Sequence, residues 1–191
     1  MSVTAKDILA AVRTKHLKDA VIREVVMTDP IEMAIRRRVH TEGPHAEFYR
    51  KHYAKRGEMV ADEIPEGWSL RGSIPTRRID ALILSGTQTT AVEIKVSRAD
   101  FLRETPEKRR AWMAVSNRFV YAAPVGLIRR EEVPAGCGLW EFDPERIYDW
   151  RWGKAGLHAT VKAKINKDPE PLPRQVLVAL AYRVGKYEAA A

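Results

Sequence analysis

Asp80, Glu93 and Lys95 are the residues of this chain whose types and spacing could do chemistry. They lie in two short runs, Arg77–Leu84 (RRIDALIL) and Thr89–Val96 (TTAVEIKV), separated by Ser85-Gly86-Thr87-Gln88. Two strand-like runs joined by a Gly-containing loop predict a β-hairpin. Centring the loop between Gly86 and Thr87 pairs residues whose numbers add to 173, which sets Asp80 across from Glu93 and Arg78 across from Lys95. Side chains alternate along a strand, so Asp80, Glu93 and Lys95 share one face. The opposite face carries Ile79, Ala81, Ile83, Val92, Ile94 and Val96, a core-facing set.

Carboxylates directly opposite each other repel, and a divalent cation between them removes that penalty. Magnesium takes one or two carboxylates and keeps several waters. Such a cation polarises a phosphoryl oxygen and lowers the pKa of an attacking water. Lys95, one pleat further on, can reach that water or a phosphate oxygen, which completes the parts for hydrolysing a phosphodiester. The competing reading is a solvated hairpin face on which Arg78 and Lys95 offset Asp80 and Glu93. A Glu-x-Lys triplet is expected by chance about once in a chain this charged, and a three-residue loop would spoil the register.

Around the hairpin, helices and strands alternate. Thr4–Leu17 reads as an amphipathic helix capped by Thr4, with Asp7 in its first turn and Ile8, Leu9 and Val12 on one face. Ala20–Met27 (AVIREVVM) reads as a strand. Asp29-Pro30 opens a second helix that runs to about His40. Residues 28–76 read as a largely helical insertion between core strands, with one further helix expected from His45 to Lys55. Its His40, His45 and His52 lack the i, i+4 spacing of paired ligands, so surface histidines are expected.

After the hairpin, Ser97 caps a helix through Glu104 and Thr105-Pro106 restarts it. Proline inside one continuous helix would cost about 3 kcal/mol, so a break is expected there. Phe101, Leu102, Trp112, Met113 and Val115 supply the apolar side. Arg118–Ala123 reads as a strand stopped by Pro124, and Gly138–Phe142, Arg146–Trp152 and His158–Ile165 as further strands. Pro173–Tyr187 closes the chain as a helix. The expectation is one α/β domain over residues 1–191, with 28–76 inserted and 173–187 as its last helix.

The totals agree with a globular protein: 191 residues, 45% hydrophobic and 30% charged. No apolar run approaches the roughly 18 residues of a spanning helix. Met1–Arg13 lacks the basic region and apolar core of a secretory signal. Cys137, the single cysteine, excludes an internal disulfide and a cysteine-built zinc site. A cytoplasmic protein without membrane attachment is expected. The net charge of +8 is clustered at Arg36-Arg37-Arg38, Arg77-Arg78, Lys108-Arg109-Arg110 and Arg129-Arg130, which would attract a polyanion. Solvated faces that serve solubility are the alternative.

The order strand, Asp80, hairpin, Glu93-Ile94-Lys95, helix, strand resembles the core of the PD-(D/E)XK nuclease superfamily. With the first helix and strand it becomes αβββαβ, a restriction-endonuclease-like arrangement. A narrower likeness is to the MmcB-like DNA-repair proteins and related phage and bacterial proteins. It is carried by RRIDA from Arg77, EIKVSRADF from Glu93, RFVYAAP from Arg118 and EVPAGCGL from Glu132.

The resemblance implies a mixed sheet flanked by helices and a DNA substrate in repair, recombination or phage DNA processing, at the nucleoid. It implies that Asp80 and Glu93, with the Ile94 carbonyl, hold Mg or Mn, and that Lys95 assists the nucleophile. Asp7 and Glu24 are candidates for a further acidic ligand, and Arg77, Arg78, Arg98, Lys108, Arg109 and Arg110 for phosphate contacts. Ile79 stands where the motif's name puts proline, and 28–76 has no counterpart. Some members of the superfamily bind DNA in accessory roles without proven cleavage, and many such nucleases pair as homodimers to cut both strands.

Overall fold

Local chemistry sets the ends of the first helix, α1 (Ala5–Lys15). The Asp7 carboxylate accepts the Thr4 amide at 2.8 Å while the Thr4 hydroxyl accepts the Asp7 amide at 3.4 Å, a reciprocal cap. Strand β1 (Ala20–Thr28) follows, then the hairpin of β2 (Thr76–Ser85) and β3 (Gln88–Ile94). The computed structural model describes residues 2–34, 76–147 and 155–188. Gly86 turns the hairpin with a φ of +56°, the left-handed backbone that a two-residue hairpin turn demands and glycine tolerates. The register runs from Ser85↔Gln88 to Ala81↔Val92, so paired numbers add to 173 as expected.

Ser97 caps α2 (Arg98–Leu102), its hydroxyl accepting the Asp100 amide at 3.2 Å. The helix ends before Glu104, and α3 (Pro106–Val115) begins with proline at its first position, where no amide is needed. The break therefore falls where the proline requires it. Leu102, expected on the apolar side, is exposed: neighbouring helical residues point about 100° apart, and Phe101 takes the inward direction.

β4 (Arg118–Pro124) and β5 (Gly138–Phe142) follow, then β6 (Leu157–Val161) and the last helix, α4 (Arg174–Glu188). Among the described residues six strands form one mixed sheet in chain order. β2–β3 and β5–β6 are antiparallel, and β3–β4 and β4–β5 are parallel. The protein is thus α/β, with helices flanking a mixed sheet. On one face Ile8, Ala11 and Val12 of α1 pack on Ala81, Ile83, Val92, Ile94, Ala122 and Leu157. Alternation turns Glu93 and its neighbour Tyr121 to the other face. There Tyr121 meets Phe101 and Phe119 edge-on at 5.6 and 5.3 Å, and α3 buries Trp112 and Val115.

Two expected strands change. Around residue 146 the chain forms a 3-10 turn, Pro144–Arg146, instead of a strand. Asp143 accepts the Glu145 amide at 3.0 Å and pairs with Arg146 Nε at 3.1 Å, so Asp-Pro-Glu-Arg acts as cap and turn. Residues 148–154 lie outside the described residues. β6 ends at Val161 rather than Ile165, where its partner β5 begins; a register shift between Leu139 and Trp140 lies within the ladder. The Lys164 and Asn166 amides then donate to the carbonyls of Gly136 and Asn117. Val96, expected in the core, is exposed just past the end of β3.

Contacts divide the chain into two compact units, Met1–Val26 with Arg78–Ala191, and Met27–Arg77. In the second, Asp29 opens a helix at Pro30: its Oδ1 accepts the Ile31 and Glu32 amides at 3.0 and 3.2 Å. Its Oδ2 accepts from Arg77 Nε at 2.9 Å. The helix expected at His45–Lys55, with His40, His45 and His52, lies outside the described residues. Among the described residues no helix is long and apolar enough to cross a membrane.

Candidate functional site

The hairpin register makes Ile79 the next hydrogen-bonded partner of Ile94, because such pairs alternate along an antiparallel ladder. The structure departs from this. The Asp80 carboxylate accepts the Ile94 amide at 2.8 Å, so a side chain takes the place of a ladder bond where β2 and β3 part. The amide and carbonyl of one strand residue point to the same edge, which turns the Ile94 carbonyl toward Asp80 as well. The Lys95 amide points the other way and donates to the Ala122 carbonyl of β4 at 2.9 Å.

Asp80, Glu93 and Lys95 come together at this parting. Lys95 Nζ donates to Glu93 Oε1 at 2.9 Å. Burial, with the Asp80 charge adding to it and Lys95 opposing both, pushes the Glu93 carboxyl up to about 7. Burial also raises Asp80, against the Ile94 amide and the Arg78 charge, which lower it. Burial would lower Lys95, but its pairing with Glu93 and Glu104 outweighs this and the net shift is upward. Two half-buried carboxylates that hold their charge reluctantly are a place where added positive charge would be welcome.

Two acidic residues that sequence reasoning missed also face Lys95. Glu104 Oε2 lies 3.0 Å from its Nζ and Asp100 Oδ2 lies 3.6 Å from it. Asp100 was visible within the EIKVSRADF segment, whereas Glu104 carried no signal beyond standing before Thr105-Pro106. The two acids expected from the sequence are engaged elsewhere or exposed. Asp7 closes the cap of α1, and Glu24 is exposed in β1 with a φ of +48°.

The expected phosphate-binding residues divide. Arg98 forms a two-pronged pair with Glu132 and also donates to the Leu127 carbonyl at 3.3 Å, which ties α2 to the 3-10 turn Arg130–Glu132. The pairing lowers the Glu132 carboxyl to about 2. Arg77 is bound to the buried Asp29. Arg78 and Lys108 are exposed, the latter donating to the Arg103 carbonyl at 2.9 Å, while Arg109 and Arg110 are half-buried. Of the six, Arg78 and Lys108 are therefore the most accessible to an anion.

Asp80, Glu93 and the Ile94 carbonyl supply oxygen donors, the ligand type that magnesium and manganese prefer. Among the described residues no group of three or more His, Cys, Asp or Glu side chains is arranged to hold a metal ion. Magnesium commonly takes one or two carboxylates and keeps several waters, so two carboxylates are within what it uses.

No family model matches the chain, and no curated protein does. Among solved structures, it is similar to the SPO1766 protein of unknown function from Silicibacter pomeroyi, at 20% sequence identity and a TM-score of 0.41. The match covers 59% of this chain and 69% of that one.

Proposed function

We propose that this protein is a metal-dependent DNA nuclease with a restriction-endonuclease-like core of the PD-(D/E)XK kind, working in repair, recombination or phage DNA processing. The observation that carries the reading is the parting of β2 and β3, where Asp80, Glu93 and Lys95 converge on one face. Asp80 and Glu93, with the Ile94 carbonyl, are the residues that would hold magnesium or manganese. Bound there, the ion supplies charge stabilisation to a phosphoryl oxygen and acidifies a water.

The chain's own groups do the rest. The Ile94 amide holds Asp80 in place, so one carboxylate is oriented before any ligand arrives. Lys95 presents an ammonium to a phosphate oxygen beside the attacked bond, at a site screened from bulk water. Arg78 and Lys108 lie exposed to meet flanking phosphates.

The test is incubation of the purified protein with labelled duplex, flap, junction and single-stranded DNA in magnesium, manganese or EDTA. Cleavage in either metal and none in EDTA is expected. DNA binding without cleavage under every condition would make the protein an accessory of repair instead. Light scattering of the DNA complex reads whether two copies pair to cut both strands. Replacing Arg78 and Lys108 together by Gln should weaken binding to all sequences alike. Each phosphate contact contributes about 0.9 to the slope of log affinity against log salt, so the slope should flatten by about 1–2. An unchanged slope would make these charges a solvated face only.

A further inference from the structure

We propose that Glu104 is a positioning residue for Lys95, the anchor that keeps its ammonium at the site when a cation engages Glu93; the inference rests on the nuclease reading above. Lys95 Nζ has three carboxylate neighbours, at 2.9 Å for Glu93, 3.0 Å for Glu104 and 3.6 Å for Asp100. They differ in how far water reaches them. The Glu104 side chain is 6% exposed, as is that of Lys95, against 20% for Glu93 and 40% for Asp100. Water and salt weaken a shielded pair least, so Glu104 has the firmest hold on the ammonium.

The geometry gives that hold a purpose. A cation at Asp80 and Glu93 competes with Lys95 for the same Glu93 carboxylate, and an ammonium with no second acceptor would either block the cation or leave the site. Glu104 lets Lys95 release Glu93 without crossing to solvent. The charges point the same way. Asp80, Glu93, Asp100 and Glu104 bring four carboxylates to one lysine, a surplus of negative charge that a divalent cation reduces.

The position of Glu104 is itself fixed. Its amide donates to the Phe101 carbonyl at 3.0 Å, closing the turn after α2, and Phe101 is buried against Tyr121. Lys95 is held at its backbone by Ala122, so only its side chain has to move.

Glu104→Gln and Glu104→Asp test the proposal. In magnesium, Glu104→Gln should lower kcat by roughly 10- to 100-fold while KM changes little, and Glu104→Asp should recover part of the loss. A second measurement needs no turnover: acetylation of Lys95 by a small amine-reactive ester, read by mass spectrometry with and without calcium. The parent should stay protected in both. Glu104→Gln should be protected without calcium, through Glu93, and acetylated several-fold faster with it. Equal protection of Lys95 in the calcium-bound parent and variant overturns the proposal, as does a kcat loss that Glu104→Asp shares in full. Should Glu104→Gln fail to fold, Glu104→Asp carries the acetylation comparison, and a rate equal to the parent's in calcium overturns the proposal. If the parent cuts no DNA, the nuclease reading fails, and the acetylation result still decides the role of Glu104.

Discussion

Glu93→Gln should lower magnesium-dependent DNA cleavage by at least about 10²-fold while DNA affinity in EDTA stays equal or rises. The substitution keeps size and strand but removes one of the two carboxylates that would face the ion. Binding should move the other way, because Glu93 repels the phosphate that must sit beside it and a neutral amide does not. Parallel loss of binding and cleavage would point to a damaged fold. Stability gives a separate check with a fixed sign. The folded-state carboxyl titrates at about 7 against an ordinary 4.5, so between these values the native protein keeps a proton that the unfolded chain has lost. Stability from this group is therefore full below the lower value and declines as pH rises through the upper one. Gln has no such titration. In EDTA, the melting temperature of Glu93→Gln relative to the parent should rise between about pH 5 and about pH 8. A constant difference would mean that Glu93 is not desolvated as the geometry indicates.

Lys95→Met should cost about 3–5 kcal/mol of stability above neutral pH, the usual result of removing one partner from a buried ion pair. Methionine fills most of the volume, so the loss is electrostatic: Glu93 and Glu104 are left facing each other with no cation between them. Without the ammonium, which favours its charged form, the Glu93 carboxyl is harder to ionise in the folded state. The deficit should shrink as pH falls and Glu93 takes up a proton, and grow as pH rises. Urea unfolding at about pH 5.5 and about pH 8 reads this directly. A loss equal at both pH values would assign it to packing. DNA cleavage should be lost as well.

The hairpin was legible because its information is local. Alternation assigns the faces, and Gly86 supplies the one backbone angle the turn needs, so the common face of Asp80, Glu93 and Lys95 follows from residue order alone. The break at Pro106 was legible for the same reason, since proline's missing amide acts on its own helix. Glu104 was not. Its approach to Lys95 depends on where α2 stops and on Phe101 anchoring that turn against Tyr121, and neither is written in the spacing of charges. Arg98 misled in the opposite sense. As a basic residue after Glu-x-Lys it suggested phosphate, yet its partner Glu132 lies 34 residues on, past β4. The strand expected at 146–152 gives way at its start because the capping power of Asp143-Pro144 outweighs the β-branched and aromatic content that suggested it.

The pair between Asp29 and Arg77 has an evolutionary consequence. Two residues separated by 48 positions meet at 2.9 Å, so the polypeptide leaves and returns through a single gate. The entropy of closing a loop grows slowly, by about 0.6 kcal/mol per doubling of its length. With the gate shut by a buried carboxylate, the stretch between can lengthen, shorten or be exchanged for another at little cost to the rest of the molecule. A lineage can therefore change the length of this stretch while the Asp29–Arg77 contact keeps its two ends together.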